Sequence, residues 1–360
     1  MLEFESNQQK TAQPKQGVLV LGMHRSGTSA VSSAFESAGY FAGNQEDLIP
    51  EGTFNPLGHF ERKSTAAFFD SLLNELGFSW FNPPPHDQQT HKQNVVSGKV
   101  AKYFSELRTK LSQESSKEIL LKDPRFCLFF PEINGALKSD FLNVFVFRNP
   151  LEVAASLSAR DGIPIAVGLD LWEVYMSSLL PALIKVDFVA INFDELARDP
   201  NYALMWQTKH KDIFSRMGLN LPDFTTISGQ YKHHNIDEQR LSKRITKPTA
   251  EIWEFCKNIS KKDANKEVVF KISTETRQSL QDFAELFQAR SDALVQRDDA
   301  LVQRDDALVQ RDDALVQRDD ALVQRDDALR ALFEIRNSKT WRYTSWFRSA
   351  ASYIQKNASN

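Results

Sequence analysis

The apolar run Val18-Leu19-Val20-Leu21 ends on Gly22-Met23-His24-Arg25-Ser26-Gly27-Thr28-Ser29, and the residues from Ala30 to Gly39 are small and apolar at helical spacing. A buried strand that empties through a glycine-bearing turn into a helix needs parallel neighbours and helices on both faces of its sheet. The turn also has a chemical consequence: N–H donors at a helix N-terminus, together with the macrodipole, favour an anion. Gly22 and Gly27 have the spacing of the nucleotide-phosphate loop G-x-x-x-x-G-K-[ST], yet Thr28 stands where that loop has its lysine, and Arg25 is the strong cation of the turn. The turn therefore predicts a cradle for a 5′-phosphate beside a transferable group that needs no metal. Its contacts would come from Gly22, His24, Arg25, Ser26, Gly27, Thr28 and Ser29.

Short apolar runs recur at Val18–Leu21, Ile119–Leu121, Val144–Phe147 and Phe188–Ile191. Amphipathic stretches between them predict helices over 30–39, 64–77, 97–112, 150–159, 169–184 and 201–217. This alternation predicts an α/β fold, a P-loop-like three-layer α/β/α arrangement around a central parallel sheet. Ligands of such sheets sit beyond the carboxyl ends of the strands, and the polar motifs of this chain fall at those ends or in the 43–63 loop. Composition divides the chain into a disordered tail (1–16), an α/β domain (17–287), a helical heptad-repeat stalk (288–333) and an aromatic, basic tail (334–360). A formal charge of −3 gives no basic excess of the kind a nucleic-acid binder carries. The two cysteines, Cys127 and Cys256, lie among apolar residues and read as buried thiols rather than a disulfide or metal site. No stretch approaches the ~20 apolar residues that span a bilayer, and the N-terminus lacks an apolar signal core. A soluble, cytoplasmic protein is expected.

Two further strand ends carry polar motifs. Val144 to Phe147 leads into Arg148-Asn149-Pro150, with Pro150 suited to the first turn of a helix and Ser156 about two turns in. Ile119-Leu120-Leu121 leads into Lys122-Asp123-Pro124-Arg125, and the earlier loop contains Asn55-Pro56-Leu57-Gly58-His59-Phe60-Glu61. With the Gly22–Ser29 turn, these segments resemble the sulfotransferase superfamily that uses 3′-phosphoadenosine 5′-phosphosulfate (PAPS), over about residues 17 to 220. In that family the strand-loop-helix holds the 5′-phosphosulfate, and an Arg and a Ser eight residues apart hold the 3′-phosphate; Arg148 and Ser156 have that spacing. The resemblance thus implies PAPS as sulfuryl donor without a metal, Arg148 and Ser156 as donor contacts, and Lys122 facing the sulfuryl group. The late R-K-G-x-x-G-D-W-K segment of cytosolic members has no counterpart here. Tyr231-Lys232-His233-His234 reads either as a substitute lid or as a polar surface loop.

Sulfuryl transfer to a hydroxyl passes through an in-line, charge-spread transition state, so positioning and cations on the nonbridging and leaving oxygens supply most of the catalysis. Arg25 and Lys122 are the candidate cations. A guanidinium clamps two oxygens but keeps its proton, which leaves protonation of the leaving phosphate to solvent, to Lys122 or to no group. The acceptor hydroxyl must give its proton to a base within hydrogen-bond reach. Glu61 is the first candidate and His59 the second; Glu46 is a third, because its spacing after Arg25 resembles that of the base in the tyrosylprotein branch.

Residues 293–327 are five perfect copies of Ala-Leu-Val-Gln-Arg-Asp-Asp. A period of seven suggests a coiled coil, but the apolar positions are consecutive and miss the a and d spacing of a seam. Arg and Asp never stand three or four apart within it, so ion pairs at helical spacing do not support it. Propensity still predicts a helical rod of ~50 Å at 1.5 Å per residue, a spacer or weak oligomerisation stalk. Beyond it, Asn337 to Thr344 resembles the Ser-x-Thr-Trp-Arg-x-Thr tail of bacterial glycan-modifying enzymes, and Thr340 to Arg348 holds aromatics and arginines without acids. An interfacial anchor and docking onto the chain's own domain both fit this tail. The function expected is a sulfotransferase acting on a hydroxyl of a cell-envelope glycan or glycolipid. Its partners would be a nucleotide donor and a carbohydrate acceptor, without nucleic acid, and residues 288–360 would serve a homo-oligomer or a peripheral contact at the inner membrane face. A nucleotide or small-molecule kinase of related fold is the alternative and would want a lysine where Thr28 stands; a non-catalytic scaffold on the same domain is the other.

Overall fold

The computed structural model describes residues 16–52, 58–84, 93–227, 245–259 and 270–357. β1 (Gly17–Leu21) is buried along its whole length, as its unbroken apolar sequence requires, and hands over to α1 (Thr28–Ser37). α2 (Lys63–Glu75) and α3 (Gln93–Glu114) precede β2 (Ile119–Lys122), which runs into a 3₁₀ turn over Pro124–Leu128 and α4 (Phe130–Leu137). β3 (Phe141–Phe147) is followed by α5 (Pro150–Asp161) and α6 (Ile165–Leu183). β4 (Phe188–Asn192) is followed by α7 (Phe193–Arg198) and α8 (Pro200–Arg216), and α9 (Lys247–Ile259) stands before the long helix α10 (Thr274–Asn337).

The four strands form one all-parallel sheet in the order β2-β1-β3-β4. Alternate residues point into opposite layers, as the pleat demands. Leu19, Leu21, Leu121, Phe145 and Phe147 share a core with Phe69, Phe104, Ile133, Trp172 and Leu179 from α2, α3, α4 and α6. Val18, Val20, Val144, Val146 and Ile191 share the other with Val31 and Phe35 of α1 and Trp206 and Phe214 of α8. Burial on both faces is why these strands read as continuous apolar runs rather than as alternating ones. The parallel three-layer α/β architecture expected from the sequence is the one observed, with the predicted strands and helices in place to within a few residues.

The differences have local causes. α4 follows the dense apolar run Phe126–Phe130, where a helical period cannot be told from a strand. α9 begins beside Pro248, which sits in its first turn. The stalk helix starts not at 288 but at Thr274, where Ser273 Oγ accepts from the Thr276 N–H at 3.0 Å. Its first turns belong to the α/β unit: Leu280 is buried, and the Thr276 and Ser279 hydroxyls donate to Asp170 at 3.2 and 2.6 Å.

Contacts divide the chain into two units that meet between Leu286 and Phe287. In the second, every repeat is helical, and Arg297, Arg304, Arg311, Arg318 and Arg325 each pair with the adjacent aspartate at 2.7–2.8 Å. Such exposed pairs contribute little. The C-terminal tail is helical too, in α11 (Lys339–Tyr343) and α12 (Ser345–Asn357). Cys127 and Cys256 are buried free thiols, and burial pushes Cys127 up to about 12. Among the described residues no helix is long and apolar enough to cross a membrane.

Candidate functional site

The turn between β1 and α1 is shaped by two close approaches. A Cβ on Gly22 would lie 2.4 Å from the Val146 carbonyl oxygen, and one on Gly27 would lie 2.2 Å from the Phe193 ring. Gly27 also has φ 88°, a left-handed conformation that glycine takes without cost. Arg25 takes the same region at φ 67°, where a side chain is strained. The helix that follows has no side-chain cap and no acid in its first turn. The other strand ends differ. Asp123 caps the turn after β2, Asn149 caps α5 and Asn192 caps α7, each accepting backbone N–H bonds. The N-terminus of α1 thus lacks the side-chain acceptor that the other strand ends provide. Ser26 Oγ and His24 Nε2, both buried in this turn, also have no hydrogen-bond partner. An uncapped N-terminus with an unpartnered buried hydroxyl fits a phosphate, which accepts from both.

Lys122, at the end of β2, comes to the same place and is buried. Its ammonium donates to the His59 carbonyl at 3.0 Å, to Ser29 Oγ at 3.3 Å and to Glu61 Oε1 in a short ion pair. Glu61 is buried with it and is held from behind. Its carbonyl accepts from Ile49 N at 2.8 Å, and the next residue, Arg62, donates to the Ala42 carbonyl at 3.1 Å and pairs with Asp47 at 2.9 Å. A base candidate and a cation candidate thus touch. Asn55, Pro56 and Leu57 of the same motif lie outside the described residues, as does the lid candidate Tyr231 to His234. Glu46 is exposed, and its backbone carbonyl accepts from Lys63 Nζ at 2.8 Å.

The third strand end joins the same turn. Ser156 Oγ accepts from Arg25 Nε at 2.7 Å, so it joins the β1 turn. Arg148 turns the other way, donating to Glu152 Oε2 at 3.0 Å and to the Arg25 carbonyl at 3.3 Å, with Asp194 Oδ1 3.5 Å from its Nε. Both residues thus meet Arg25, Ser156 at its side chain and Arg148 at its carbonyl. Glu152 and Asp194 were not singled out from sequence. The signals were present: Glu152 follows Arg148 by one helical turn, and Asp194 follows the end of β4, where the strand-end rule applies as it does to the other three.

Electrostatics match this crowding. Burial, then the charges of Arg160 and Arg148, push the Arg25 guanidinium down to about 10, still protonated at neutral pH. Burial and nearby cations, Arg125 foremost, hold His24 well below the ordinary imidazole value, and its ring lies 4.8 Å from Trp80 and 5.9 Å from Tyr175. His59 is lowered too, mainly by burial, against the opposing pull of Glu61. Burial raises Asp123 to about 6 although Arg125 opposes it; Arg125 also forks onto Asp70 at 2.7 and 2.9 Å, which fixes the turn after Lys122. Of the sequence candidates, Ser29, His59, Glu61 and Lys122 are joined in one cluster by these contacts, and Arg25 and Ser156 in a pair. Among the described residues no group of acids, histidines and cysteines is arranged to hold a metal.

Solved structures of similar architecture include the sulfotransferase domain of the Synechococcus olefin synthase (17% identity, 76% of this chain and 95% of that one, TM-score 0.36). A sulfotransferase from Mycobacterium avium is 14% identical over 71% of this chain and 79% of its own, with a TM-score of 0.44. The sulfotransferase domain of the curacin biosynthetic pathway is 13% identical over 76% and 99%, with a TM-score of 0.35. These similar structures are all sulfotransferases. No family model matches the chain, and no curated protein matches it.

Proposed function

We propose that this chain is a sulfotransferase that moves the sulfuryl group of PAPS to a hydroxyl of a glycan or glycolipid. The observation that carries this reading is the end of β1: an uncapped helix N-terminus and an unpartnered, buried Ser26 hydroxyl, with Arg25 and Lys122 beside them and Thr28 in place of a P-loop lysine. N–H donors, Ser26 and Arg25 would hold the 5′-phosphosulfate. Arg148 and Ser156 would hold the 3′-phosphate.

In the transfer, the acceptor oxygen forms a bond to sulfur while the bond from sulfur to the bridging oxygen breaks, and 3′-phosphoadenosine 5′-phosphate leaves. The acceptor's proton passes to the Glu61 carboxylate. Negative charge grows on the bridging oxygen, where Arg25 and Lys122 stabilise it without a change of solvent order. Lys122 already has three acceptors, so an incoming sulfuryl oxygen would compete for a proton now given to Glu61, freeing that carboxylate as the acceptor arrives. A carbohydrate hydroxyl is favoured by the resemblance of the C-terminal tail to that of glycan-modifying enzymes.

Isothermal titration with 3′-phosphoadenosine 5′-phosphate, against ATP with Mg²⁺, tests the donor. Binding of the first in the presence of EDTA is the expected result. Tight binding of ATP with Mg²⁺ alone would return the kinase reading.

A further inference from the structure

The last two helices have no role in the chemistry above, and their surface is unlike the rest of the chain. At about 100° per residue, Trp346, Phe347, Ala350, Ala351, Tyr353 and Ile354 of α12 fall in one arc of about 160°, which only the terminal Asn357 shares. Arg348, Ser349, Ser352, Gln355 and Lys356 fill the opposite side. The apolar arc is uncovered: Trp346 is 62%, Phe347 58%, Tyr353 72% and Ile354 68% exposed. From Ile335 to the end of the chain there are five cations, Arg336, Lys339, Arg342, Arg348 and Lys356, and no Asp or Glu. The corner joining α11 to α12 is built rather than frayed. Ser338 Oγ accepts from the Trp341 N–H at 3.2 Å, Arg348 donates to Thr344 Oγ1 at 2.8 Å, and its guanidinium lies 3.5 Å from the centre of the Trp341 ring.

We propose that α11 and α12 seat the protein on a membrane surface that carries anionic lipid, with the Trp346–Phe347–Ile354 face at the headgroup boundary. The chemistry of the two faces selects this occupant. Aromatic rings on a low-hydrophobicity helix suit the interface rather than the bilayer core, and a segment with five cations and no acid is drawn to anionic headgroups. A second copy of the tail would bring like charge to like charge. The repeat rod is acidic, one Arg to two Asp in each copy, but its Leu and Val are flanked by charges at every turn and offer no matching apolar strip. The proposal stands independently of the sulfotransferase reading.

The test is flotation of the full-length protein with vesicles of phosphatidylcholine alone or with added phosphatidylglycerol. Wild type should float with the mixed vesicles at low salt, stay largely free with phosphatidylcholine alone, and be released by added salt. The double variant Trp346→Ser with Phe347→Ser should lose most of its binding to the mixed vesicles. Arg342→Gln with Lys356→Gln should weaken binding to the anionic vesicles by roughly tenfold or more, and lessen its salt dependence. Unchanged far-UV circular dichroism shows that the variants keep their helices. Failure of wild type to float with anionic vesicles overturns the proposal, as do variants that bind like wild type. Self-association of wild type without vesicles, lost in the Trp346 and Phe347 variant, would assign the face to a second copy instead.

Discussion

Ser156→Ala separates two roles of one hydroxyl. The hydroxyl is buried on α5 and accepts from Arg25 Nε at 2.7 Å. A hydrogen bond to a charged group contributes about 1.5–3 kcal/mol, but alanine favours a helix more than serine does. Folding stability should therefore fall by only about 1 kcal/mol. Affinity should respond more, and unevenly. If Ser156 contacts the 3′-phosphate, 3′-phosphoadenosine 5′-phosphate should bind about 1.5–3 kcal/mol more weakly, roughly ten- to a hundredfold, while adenosine 5′-monophosphate loses almost nothing. If Ser156 serves only to aim Arg25 at the 5′-phosphate, both ligands weaken together. Calorimetric titration of wild type and variant with each ligand reads the difference directly. Equal losses would refute the 3′-phosphate assignment. The same test on Arg148→Ala would be harder to read, because removing that guanidinium leaves buried Glu152 and Asp194 without their cation, a change that costs about 3–5 kcal/mol of stability.

Glu61→Gln should lower kcat by roughly 10²–10⁴ while binding of 3′-phosphoadenosine 5′-phosphate stays near wild type, since the amide oxygen still accepts from Lys122; a variant turning over at full rate would move the base to His59. The buried His24 stays neutral in the fold, so below about pH 6.5 the unfolded chain takes up a proton that the folded one refuses, and stability falls on acidification. Asp123, raised to about 6, works in the opposite sense by binding its proton in the folded state first. Denaturation curves of His24→Phe and wild type should thus diverge below pH 6.5 in the variant's favour by up to about 1.4 kcal/mol per pH unit; parallel curves would show that His24 takes up its proton normally in the fold. Deleting 293–327 removes whole repeats that lie beyond every residue of the α/β unit, so turnover on a small soluble acceptor should persist, and its loss would make the rod part of the active assembly.

The motif spacings set which side chains stand at which strand end. Gly22 and Gly27 could be recognised in the chain because a tight turn between a strand and a helix leaves few residues to choose from. The two reasons each must be glycine, the Val146 carbonyl and the Phe193 ring, come from β3 and from the first residue of α7, more than a hundred residues away. The start of α10 at Thr274 was hidden for another reason: its first turns lack the repeat's period, and packing of Leu280 and the Asp170 contacts make them part of the α/β unit.

The sequence by itself determined the parallel three-layer architecture and the strand ends at which polar groups collect, because burial on both faces of a sheet writes itself as continuous apolar runs. Which of those groups meet was decided only in three dimensions. Placing β1 between β2 and β3 brings Lys122 to Glu61 across 61 residues and Arg25 to Ser156 across 131, while β4, on the far side of β3, leads into Asp194, which stands beside Arg148. Periodicity reports how deeply a residue is buried along its own element. The partner of a buried charge is fixed by the order of the strands and by the need of each buried ion for a counter-ion, and neither is written in any local stretch of the chain.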